Sequence, residues 1–404
     1  MNIAFFSDTY EPQKNGVVTA IKMQKNFLEK EGHNVYLFIP YIPNSPSDEN
    51  IYKLPSFVFP FQREHRVANP YSLKYDLLFG KLKVNLVHTH TPFSLGIFGW
   101  GQAKKRNLPL IHTFHTIFEE YAYYIWDHFP KIIKKKIIKE KEAREIAIWL
   151  SKSYCELCDL IIAPSTKVKK LLENYGVKKP IIILPNGLDL KDFKPIDKKI
   201  AREKRKFPID GIILLFVGRL GREKNITFLL KVMKWLINNS NYPYYLVIVG
   251  DNPDKRVKEE LIKEAEKYKI RDRVIFTGYL EYPQVIESYY SADIFVFASL
   301  TETQGMVVGE ALFSGLPVIA LEDLAIGDFI KNGENGFLVP CNKNSIEEFG
   351  KKIILLTENK EIYYTLSQNA KISAENISSE KLNKRLLEIY ERTVLDFKKE
   401  RKYA

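Results

Sequence analysis

The chain has 404 residues, of which 45% are hydrophobic and 27% charged, and its formal net charge is +12. This length exceeds one ordinary domain, and the composition excludes a disordered chain. No apolar stretch reaches the roughly 18 residues of a membrane span, and the sequence starts a strand at once, without the basic and apolar regions of a signal peptide.

Short apolar runs alternate with helical patterns through the first half of the chain. Helices are predicted between several of these runs, for example at 18–31 and 166–175. The runs themselves predict strands at 3–7, 34–39, 86–88, 110–112, 160–163 and 181–184. Such alternation is typical of a parallel β-sheet with helices on both faces.

Turn residues in PNGLDLKDFKPI (185–196) and a charged segment (197–207) interrupt this pattern. The alternation then restarts, with helices predicted near 226–237 and 257–268. The strands predicted in this half are 212–217, 244–249, 274–277, 294–298, 317–320 and 337–339.

We therefore expect an α/β fold of two doubly wound domains, 1–195 and 196–380. A charged helix, 381–404, follows them and could pack back on the first domain. Ligands of open parallel sheets lie beyond the carboxyl ends of the strands. If the domains face each other across a cleft, the site residues should come from loops that directly follow strands.

The cysteines predict neither a disulfide framework nor a zinc site. Cys155 and Cys158 form a lone C-x-x-C on a predicted helix, and Cys341 is the third cysteine. No second Cys or His pair stands at metal spacing, so we expect a reducing cytosol and no bound metal or other cofactor. The positive charge favours nucleic acid, lipid headgroups or phosphorylated substrates as partners, unless it reflects only a lysine-rich proteome.

The loop TETQG is one candidate for such a post-strand site. Gln304 and Gly305 fall at the start of a helix predicted at 306–313, where free N–H groups and the dipole favour an anion. Glu302 precedes this start and Glu310 lies on the helix, with seven residues between the two glutamates. A phosphate flanked by two carboxylates suggests a nucleotide sugar. The alternative is a solvent-exposed glutamate at a helix start and a second glutamate on the helix face, without a ligand.

A second loop, GRLGREKN, also follows an apolar strand directly. Arg219 and Lys224 could neutralise a diphosphate, arginine through its planar fork and lysine as a point charge. Gly218 opens this loop. Taken alone, either residue could simply be one of the scattered charges of a surface loop. That interpretation is less plausible when two such loops occur in one domain.

The first domain contributes a glycine and several histidines. Gly16 opens a helix after the first strand, which resembles half a phosphate loop. His112 and His115, in LIHTFHTIF, stand at the carboxyl end of a strand, where a site role is as plausible as a structural one. For His88 and His90, in VHTHTPFS, we expect a structural role in shaping the same face.

The two glutamates resemble the E-x₇-E signature of retaining glycosyltransferases of family four, which have the GT-B fold. The segments PNGLD, GRLGREKN, VGD and SADIFVFASLTETQGMVVGEALFSGLPVIA occur in that family's order and spacing. The resemblance spans nearly the whole chain and is strongest over 185–340. It implies two Rossmann-like domains, a nucleotide-sugar donor and transfer of a hexose with retention of configuration.

The resemblance also implies residue roles for the donor phosphates. Arg219 and Lys224 would bind the diphosphate and stabilise charge on the leaving group. The loop and helix start that would contact the phosphates comprise Gly218, Gln304, Gly305, Met306 and Val307. Family members are usually metal-independent, and no D-x-D motif occurs in this sequence, in keeping with cationic side chains in place of a metal.

Further roles implied by the resemblance concern the sugars, the base and the acceptor. Glu310 would hold the ribose hydroxyls and Glu302 a hydroxyl of the donor sugar. Gly16 would leave room for phosphate and acceptor, and His115 would lie near the donor sugar. The backbone near Tyr279 would border the base.

A basic segment points to the acceptor. FPKIIKKKIIKEKEAREIAIWL mixes isoleucines and a tryptophan with the cations Lys131, Lys134, Lys135, Lys136 and Lys139. Such a helix suits an anionic membrane surface, although a solvated face with its apolar stripe in the core is the alternative. The pattern is similar to that of the bacterial diacylglycerol glucosyltransferases of this family, which are monotopic and use UDP-glucose.

We therefore expect glucose transfer from UDP-glucose to a lipid acceptor, diacylglycerol, by a peripheral enzyme on the cytoplasmic side of the cell membrane. Phosphatidylinositol, lipopolysaccharide or a soluble sugar remain alternative acceptors, since enzymes for them share most of the motifs. A nucleotide-sugar epimerase shares the fold. Nucleic acid is not expected as a partner, because no nucleic-acid module is recognisable.

Overall fold

The computed structural model describes residues 1–13, 15–58, 66–69, 73–120, 140–299 and 301–400. These residues form two units. The first comprises Met1–Gly187 and the C-terminal helix Ser379–Glu400, and the second is Leu188–Ser378. The expectation of two doubly wound parallel sheets is confirmed, one sheet in each unit.

The sheet of the first unit has seven parallel strands in the order β3-β2-β1-β6-β7-β8-β9. The order reverses between β1 and β6, which makes this the switch point of the sheet. The strands are β1 (Asn2–Phe6), β2 (Asn34–Pro40), β3 (Ile51–Leu54), β6 (Leu86–Thr89), β7 (Leu110–Thr113), β8 (Leu160–Ala163) and β9 (Ile181–Ile183). A separate antiparallel ribbon joins β4 (Ser56–Val58) to β5 (Arg66–Ala68).

Helices and aromatic side chains complete the first unit. The rings of Phe6 and Phe38 stack with centroids 4.7 Å apart, and Phe98 meets Phe6 edge-on. Most of the strands read as unbroken apolar runs because helices cover both faces of a parallel sheet. Among the described residues of this unit, the helices before the C-terminal one are α1 (Gly16–Lys30), α2 (Leu73–Lys81), α3 (Ser94–Arg106), α4 (Glu140–Glu156) and α5 (Thr166–Asn174).

The C-terminal helix packs within the first unit. Tyr390 is fully buried and its hydroxyl forms a hydrogen bond with Nδ1 of His88. Asn383 donates from Nδ2 to the carbonyl of Met23, at 3.4 Å. This helix therefore contributes to the core of the first unit, although in sequence the whole second unit lies between them.

The second unit has six parallel strands in the order β12-β11-β10-β13-β14-β15. They are β10 (Ile212–Val217), β11 (Tyr244–Val249), β12 (Val274–Gly278), β13 (Ile294–Phe297), β14 (Val318–Leu321) and β15 (Gly336–Val339). Its helices are α6 (Lys198–Arg205), α7 (Ile226–Asn239), α8 (Lys255–Lys267), α9 (Tyr282–Ser291), α10 (Met306–Phe313), α11 (Ser345–Glu358) and α12 (Lys360–Ala374).

The first unit ends at Gly187 rather than at residue 195. The amide of Leu188 donates to the carbonyl of Ile377, at 2.9 Å, so the turn-rich segment after it belongs to the second unit. A Cβ on Gly187 would lie 2.3 Å from Cα of Ser379. The glycine in PNGLD therefore permits a close approach of two backbone segments.

The charged segment near the start of the second unit contains the short helix α6. Asp197 caps it, since its Oδ1 accepts from the amides of Lys199 and Ile200. On its buried side Arg202 donates to Asp293 at 2.6 Å. The buried Arg202, bonded to a carboxylate and to several carbonyls, thus holds α6 against the rest of the unit. The pattern of charges in the sequence does not reveal this contact.

Candidate active site

Glycine-containing loops lie side by side at the carboxyl ends of β10, β11 and β12. The amide of Gly218 donates to Val249, at 3.0 Å, and that of Gly250 donates to Gly278, at 3.1 Å. Gly250 has φ +135°, and a Cβ there would lie 2.0 Å from the carbonyl oxygen of Gly218. The close packing of these loops leaves backbone, rather than side chains, at this part of the sheet edge.

The loop after β13 leads into α10 through Gly305. This residue has φ +82°, and a Cβ on it would lie 2.5 Å from Cδ1 of Ile326. The positive φ favours glycine here, whereas the end of the Ile326 side chain could move aside for a Cβ. Met306 and Val307 begin the helix, whose first turn carries no acidic residue, and Gln304 is buried. The start of α10 is therefore an electropositive backbone surface suited to an anion.

An ion pair connects the loop after β13 to the loop after β10. Nζ of Lys224 binds Oε1 of Glu302, and both side chains are mostly buried. The hydroxyl of Ser299 donates to the carbonyl of Glu223, at 3.1 Å, which holds the same two loops together. A lysine thus lies beside the carboxylate that precedes the start of α10.

Arg219 lies on the same loop as Lys224. Its guanidinium pairs with Oε1 of Glu223 at 2.6 Å, and its side chain is 45% exposed. Its partner Glu223 is only 7% exposed, so turning the guanidinium fully away would leave a buried carboxylate without this partner. An anion can therefore approach the exposed side of Arg219 most readily while the pair with Glu223 is kept.

Glu310 lies on the first two turns of α10 and receives two tyrosine hydroxyls. Tyr289 donates to its Oε2 at 2.7 Å and Tyr282 to its Oε1 at 3.2 Å, both from α9. Burial raises the pKa of Glu310, and these hydrogen bonds act in the opposite direction. Burial, together with the charge of Glu310, raises the pKa of Tyr289 well above its ordinary value.

Tyr282 and Tyr289 were not predicted from the sequence as residues of the site. They are seven residues apart in YPQVIESYYS, so they share one face of α9. That spacing was the available signal, but it does not reveal which distant residue the face meets. Tyr279, which the sequence placed beside the base, lies in the loop after β12 and is 58% exposed.

In the first unit, His115 contacts a second histidine after the end of β6. Its Nε2 lies 3.2 Å from Nδ1 of His90, and the two rings are nearly parallel. His88 lies beside His90, with ring centroids 4.1 Å apart. His112 binds the carbonyl of Thr89 through Nδ1, at 2.9 Å. The expected structural role of His88 agrees with its burial and its bonds to Thr113 and Tyr390.

Burial keeps this histidine cluster neutral. It lowers the pKa of His112 to about 4 and that of His115 to about 3, and nearby His112 adds to the effect on His115. Burial also lowers the pKa of His88 and His90 well below the ordinary value. At neutral pH each ring therefore offers one N–H donor and one acceptor nitrogen.

Gly16 begins α1 in the loop after β1. Asn15 caps this helix, because its Oδ1 accepts from the amide of Val18 at 3.0 Å. A Cβ on Gly16 would meet nothing within 4 Å, so the surrounding fold does not require glycine there. In the same loop Asp8 is buried at the start of α3, where it accepts from Thr91 and Leu95.

The structure thus brings together, at the edge of the second sheet, the predicted residues Gly218, Arg219, Lys224, Glu302, Gln304, Gly305, Met306, Val307 and Glu310. Gly16 and His115 belong to the first unit. The basic residues Lys131, Lys134, Lys135, Lys136 and Lys139 lie outside the described residues.

The described part of the chain contains no group of three or more His, Cys, Asp or Glu side chains that could hold a metal ion. Within the same residues, none of the helices combines the length and the apolar character needed to cross a membrane. In the second unit, the cationic side chains of Arg219 and Lys224 and the start of α10 could bind an anion, and the carboxylates of Glu302 and Glu310 could accept hydrogen bonds from hydroxyl groups.

Models of known protein families match both halves of the chain. The family model Glycosyltransferase Family 4 matches residues 14–192, and the model Glycosyl transferases group 1 matches residues 197–373. The structure of sucrose-phosphate synthase from Thermosynechococcus elongatus shares the fold, with a TM-score of 0.76 at 21% identity, covering 97% of this chain and 98% of that one.

Curated relatives match almost the full length. The alpha-monoglucosyldiacylglycerol synthase of Acholeplasma laidlawii is 33% identical over 393 residues, which cover 94% of each chain. The enzyme of the same name from Streptococcus pneumoniae is 32% identical over 398 residues, covering 96% of this chain and 85% of the relative. The chain therefore belongs to glycosyltransferase family four, and it is a glycosyltransferase with the GT-B fold.

Proposed function

We propose that this glycosyltransferase transfers glucose from UDP-glucose to diacylglycerol at a membrane surface, with retention of configuration and without a metal. The observation that carries the proposal is its near-full-length similarity to two alpha-monoglucosyldiacylglycerol synthases, at 33% and 32% identity. The names of these relatives supply both the transferred sugar and the acceptor.

The second unit supports a nucleotide-sugar donor. The start of α10 and the side chains of Arg219 and Lys224 would hold the diphosphate. Glu310, held by its tyrosines, would accept hydrogen bonds from the ribose hydroxyls. Glu302, three residues before Gly305, would accept one from a hydroxyl of the donor sugar.

In the proposed reaction, the bond between the glucose anomeric carbon and the diphosphate oxygen breaks first. Arg219, Lys224 and the α10 dipole stabilise the negative charge that develops on the leaving UDP. The acceptor hydroxyl then bonds to the same face of the anomeric carbon, and its proton passes to the departing phosphate oxygen. Lys224 would shift part of its interaction from Glu302 to the leaving group as charge develops.

Exposed apolar side chains in the first unit support a lipid acceptor. On α4, which contains the end of the basic segment, Ile146, Trp149 and Leu150 are 45%, 63% and 52% exposed. Their i, i+3, i+4 spacing places them on one face of the helix. Phe57 on the β4–β5 ribbon and Leu73 on α2 are also exposed. Exposed tryptophan and aliphatic side chains beside lysines are typical of proteins that bind to the membrane interface.

The test is a panel of radiolabelled UDP-sugars, each incubated with and without diacylglycerol in anionic micelles. We expect labelled lipid only with UDP-glucose and diacylglycerol together, and an α-linkage in the product. Parallel reactions contain phosphatidylinositol, lipopolysaccharide or a soluble sugar instead of diacylglycerol. If label appears on one of these, that molecule replaces diacylglycerol as the proposed acceptor. Interconversion of the donor sugar without any acceptor would instead indicate an epimerase.

A further inference from the structure

Two histidines, His90 and His115, lie in contact after the ends of β6 and β7. His90 is 1% exposed, whereas His115 is only partly buried, so His115 is the member that a ligand can reach. Nδ1 of His90 and Nε2 of His115 lie 3.2 Å apart with hydrogen-bond geometry. Because both rings are neutral, one of these nitrogens carries the proton and the other accepts it.

The surroundings of Nε2 of His90 indicate whether the shared proton is on Nδ1 of His90 or on Nε2 of His115. Nε2 of His90 is buried and has no hydrogen-bond partner among the described residues. A buried N–H without a partner is more costly and rarer than a bare acceptor. The ring of Phe5, edge-to-face with His90 at 4.9 Å, could receive an N–H only weakly. The proton of His90 therefore belongs on Nδ1, facing His115.

Packing holds the His90 ring in this orientation. Its backbone amide donates to the carbonyl of Phe6 at 2.8 Å, and His88 lies against one side of the ring. His88 is itself bound at both nitrogens, by Thr113 and Tyr390. The ring of His90 therefore has little freedom to turn away from His115.

We infer that His90 is a positioning residue, whose Nδ1–H donates to Nε2 of His115 and thereby keeps the proton of His115 on Nδ1. His115 then acts on its ligand as a hydrogen-bond donor through Nδ1 rather than as a general base, since its acceptor nitrogen is engaged. This rests on the proposed function and on the family resemblance, which implies that His115 lies near the donor sugar. A sugar hydroxyl oxygen is the group that such a donor would bind.

The tautomer can be measured without any assay of activity. In protein labelled with ¹⁵N-histidine, protonated and bare ring nitrogens resonate far apart, and the seven histidines of the chain keep the spectrum tractable. The variants His115→Asn and His90→Asn assign the two rings by loss of their signals. We expect a protonated Nδ1 and a bare Nε2 on His115 in the wild type. A proton on Nε2 of His115 would overturn the inference, even in an inactive preparation.

Kinetics of a matched pair of variants test the consequence. Asn and Leu have nearly the same shape, but only the amide of Asn can donate from the position of His90 Nδ1. We expect His90→Leu to lower kcat by about tenfold, and His90→Asn to recover most of that loss. UDP binding and thermal unfolding of both variants control for folding. Equal losses in two folded variants would show that His90 only fills space.

A third variant separates a hydrogen-bond donor from a general base. His115→Asn keeps a donor at the position of Nδ1 but cannot take up a proton. If His115 is a donor, this variant retains more activity than His115→Leu, and the wild-type kcat has no acidic limb from a histidine. If His115→Asn is as inactive as His115→Leu while the NMR tautomer is as expected, the role of His115 in sugar transfer is wrong and the pairing with His90 stands.

Discussion

Lys224 and Glu302 form an ion pair between the loop after β10 and the loop after β13, with side chains that are 20% and 12% exposed. The pair places a cation and a carboxylate beside the glycine at which α10 begins. In the free enzyme the carboxylate stabilises Lys224, which in the proposed function meets the donor phosphates. Under that proposal, the pair would link donor binding to the charge that develops during transfer.

Replacing Glu302 should affect turnover more than donor binding. We expect Glu302→Ala to lower kcat by the equivalent of about 1–3 kcal/mol, since it removes hydrogen bonds to a sugar hydroxyl and the partner of Lys224. The dissociation constant of UDP should change less, because UDP lacks the sugar. Steady-state kinetics and calorimetry measure the two quantities. Wild-type kinetics in this variant would contradict the assignment of Glu302.

Glu310 should act mainly on binding of the nucleotide. We expect Glu310→Ala to weaken UDP binding by about 1–3 kcal/mol, and Tyr289→Phe to weaken it by about 1 kcal/mol through loss of the 2.7 Å hydrogen bond. Tyr290→Phe is the matched control, because the Tyr290 hydroxyl meets the carbonyl of Phe193 instead. Equal effects of the two tyrosine variants in calorimetry would argue against a specific role of Tyr289.

Activity should survive an excess of EDTA, because Arg219 and Lys224 are placed to neutralise the diphosphate. Their replacement by alanine in one variant should leave less than about a hundredth of the activity, a loss of a few kcal/mol in transition-state stabilisation. The assay is lipid glucosylation before and after chelation. Loss of activity with EDTA, and its recovery with magnesium or manganese, would instead establish a metal requirement.

The buried histidines should make stability fall in mild acid. Unfolded His112 and His115 take up protons below pH 6.5, whereas in the folded state their pKa values are about 4 and about 3. A lowered folded-state pKa gives stability that is complete above pH 6.5 and is lost as the pH falls toward the folded value. Each such histidine should reduce the free energy of unfolding by about 1.4 kcal/mol per pH unit in this window.

The variant His112→Asn isolates this contribution, since an amide can still donate to Thr89 but does not titrate. Urea unfolding of both proteins between pH 5 and 6.5 gives the comparison, and carboxyl groups cancel in the difference. We expect a slope smaller by about 1.4 kcal/mol per pH unit in the variant. Parallel curves would mean that His112 is protonated in the folded protein.

Membrane binding should depend on charge and on the exposed face of α4. We expect the protein to sediment with vesicles containing phosphatidylglycerol, but poorly with neutral vesicles or in high salt, because each engaged cation contributes about 1 kcal/mol and salt screens it. Changing Lys134, Lys135, Lys136 and Lys139 to Glu should abolish sedimentation and lipid glucosylation. UDP binding should be unchanged.

Trp149→Ala should weaken vesicle binding without changing its salt dependence. The matched control is Tyr364→Ala in the second unit, where a side chain of similar exposure, 62%, lies far along the chain from the basic segment. If the lysine variant still sediments, the basic segment is a solvated face. If the wild type ignores anionic vesicles, a soluble acceptor becomes the better proposal.

The alternation of apolar runs predicted every strand of the two sheets except β3, because burial on two faces leaves a strand with few polar residues. The strand β3 was missed because its sequence, IYKL, contains a lysine and three of its four residues are only partly buried. The helix expected at 306–313 is present as Met306–Phe313, and Gly305 at its start adopts the positive φ that favours glycine. The loops of the candidate site could be found for a related reason, since they follow directly after apolar strands whose carboxyl ends share one edge.

Partnerships between distant residues were decided only by the tertiary structure. Glu310 meets Tyr289 across 21 residues, and His90 meets His115 across 25. The helix in the charged segment depends on the pair of Arg202 and Asp293, 91 residues apart. Periodicity shows which face of an element is buried, but strand order and the packing of helices decide which side chain it meets there.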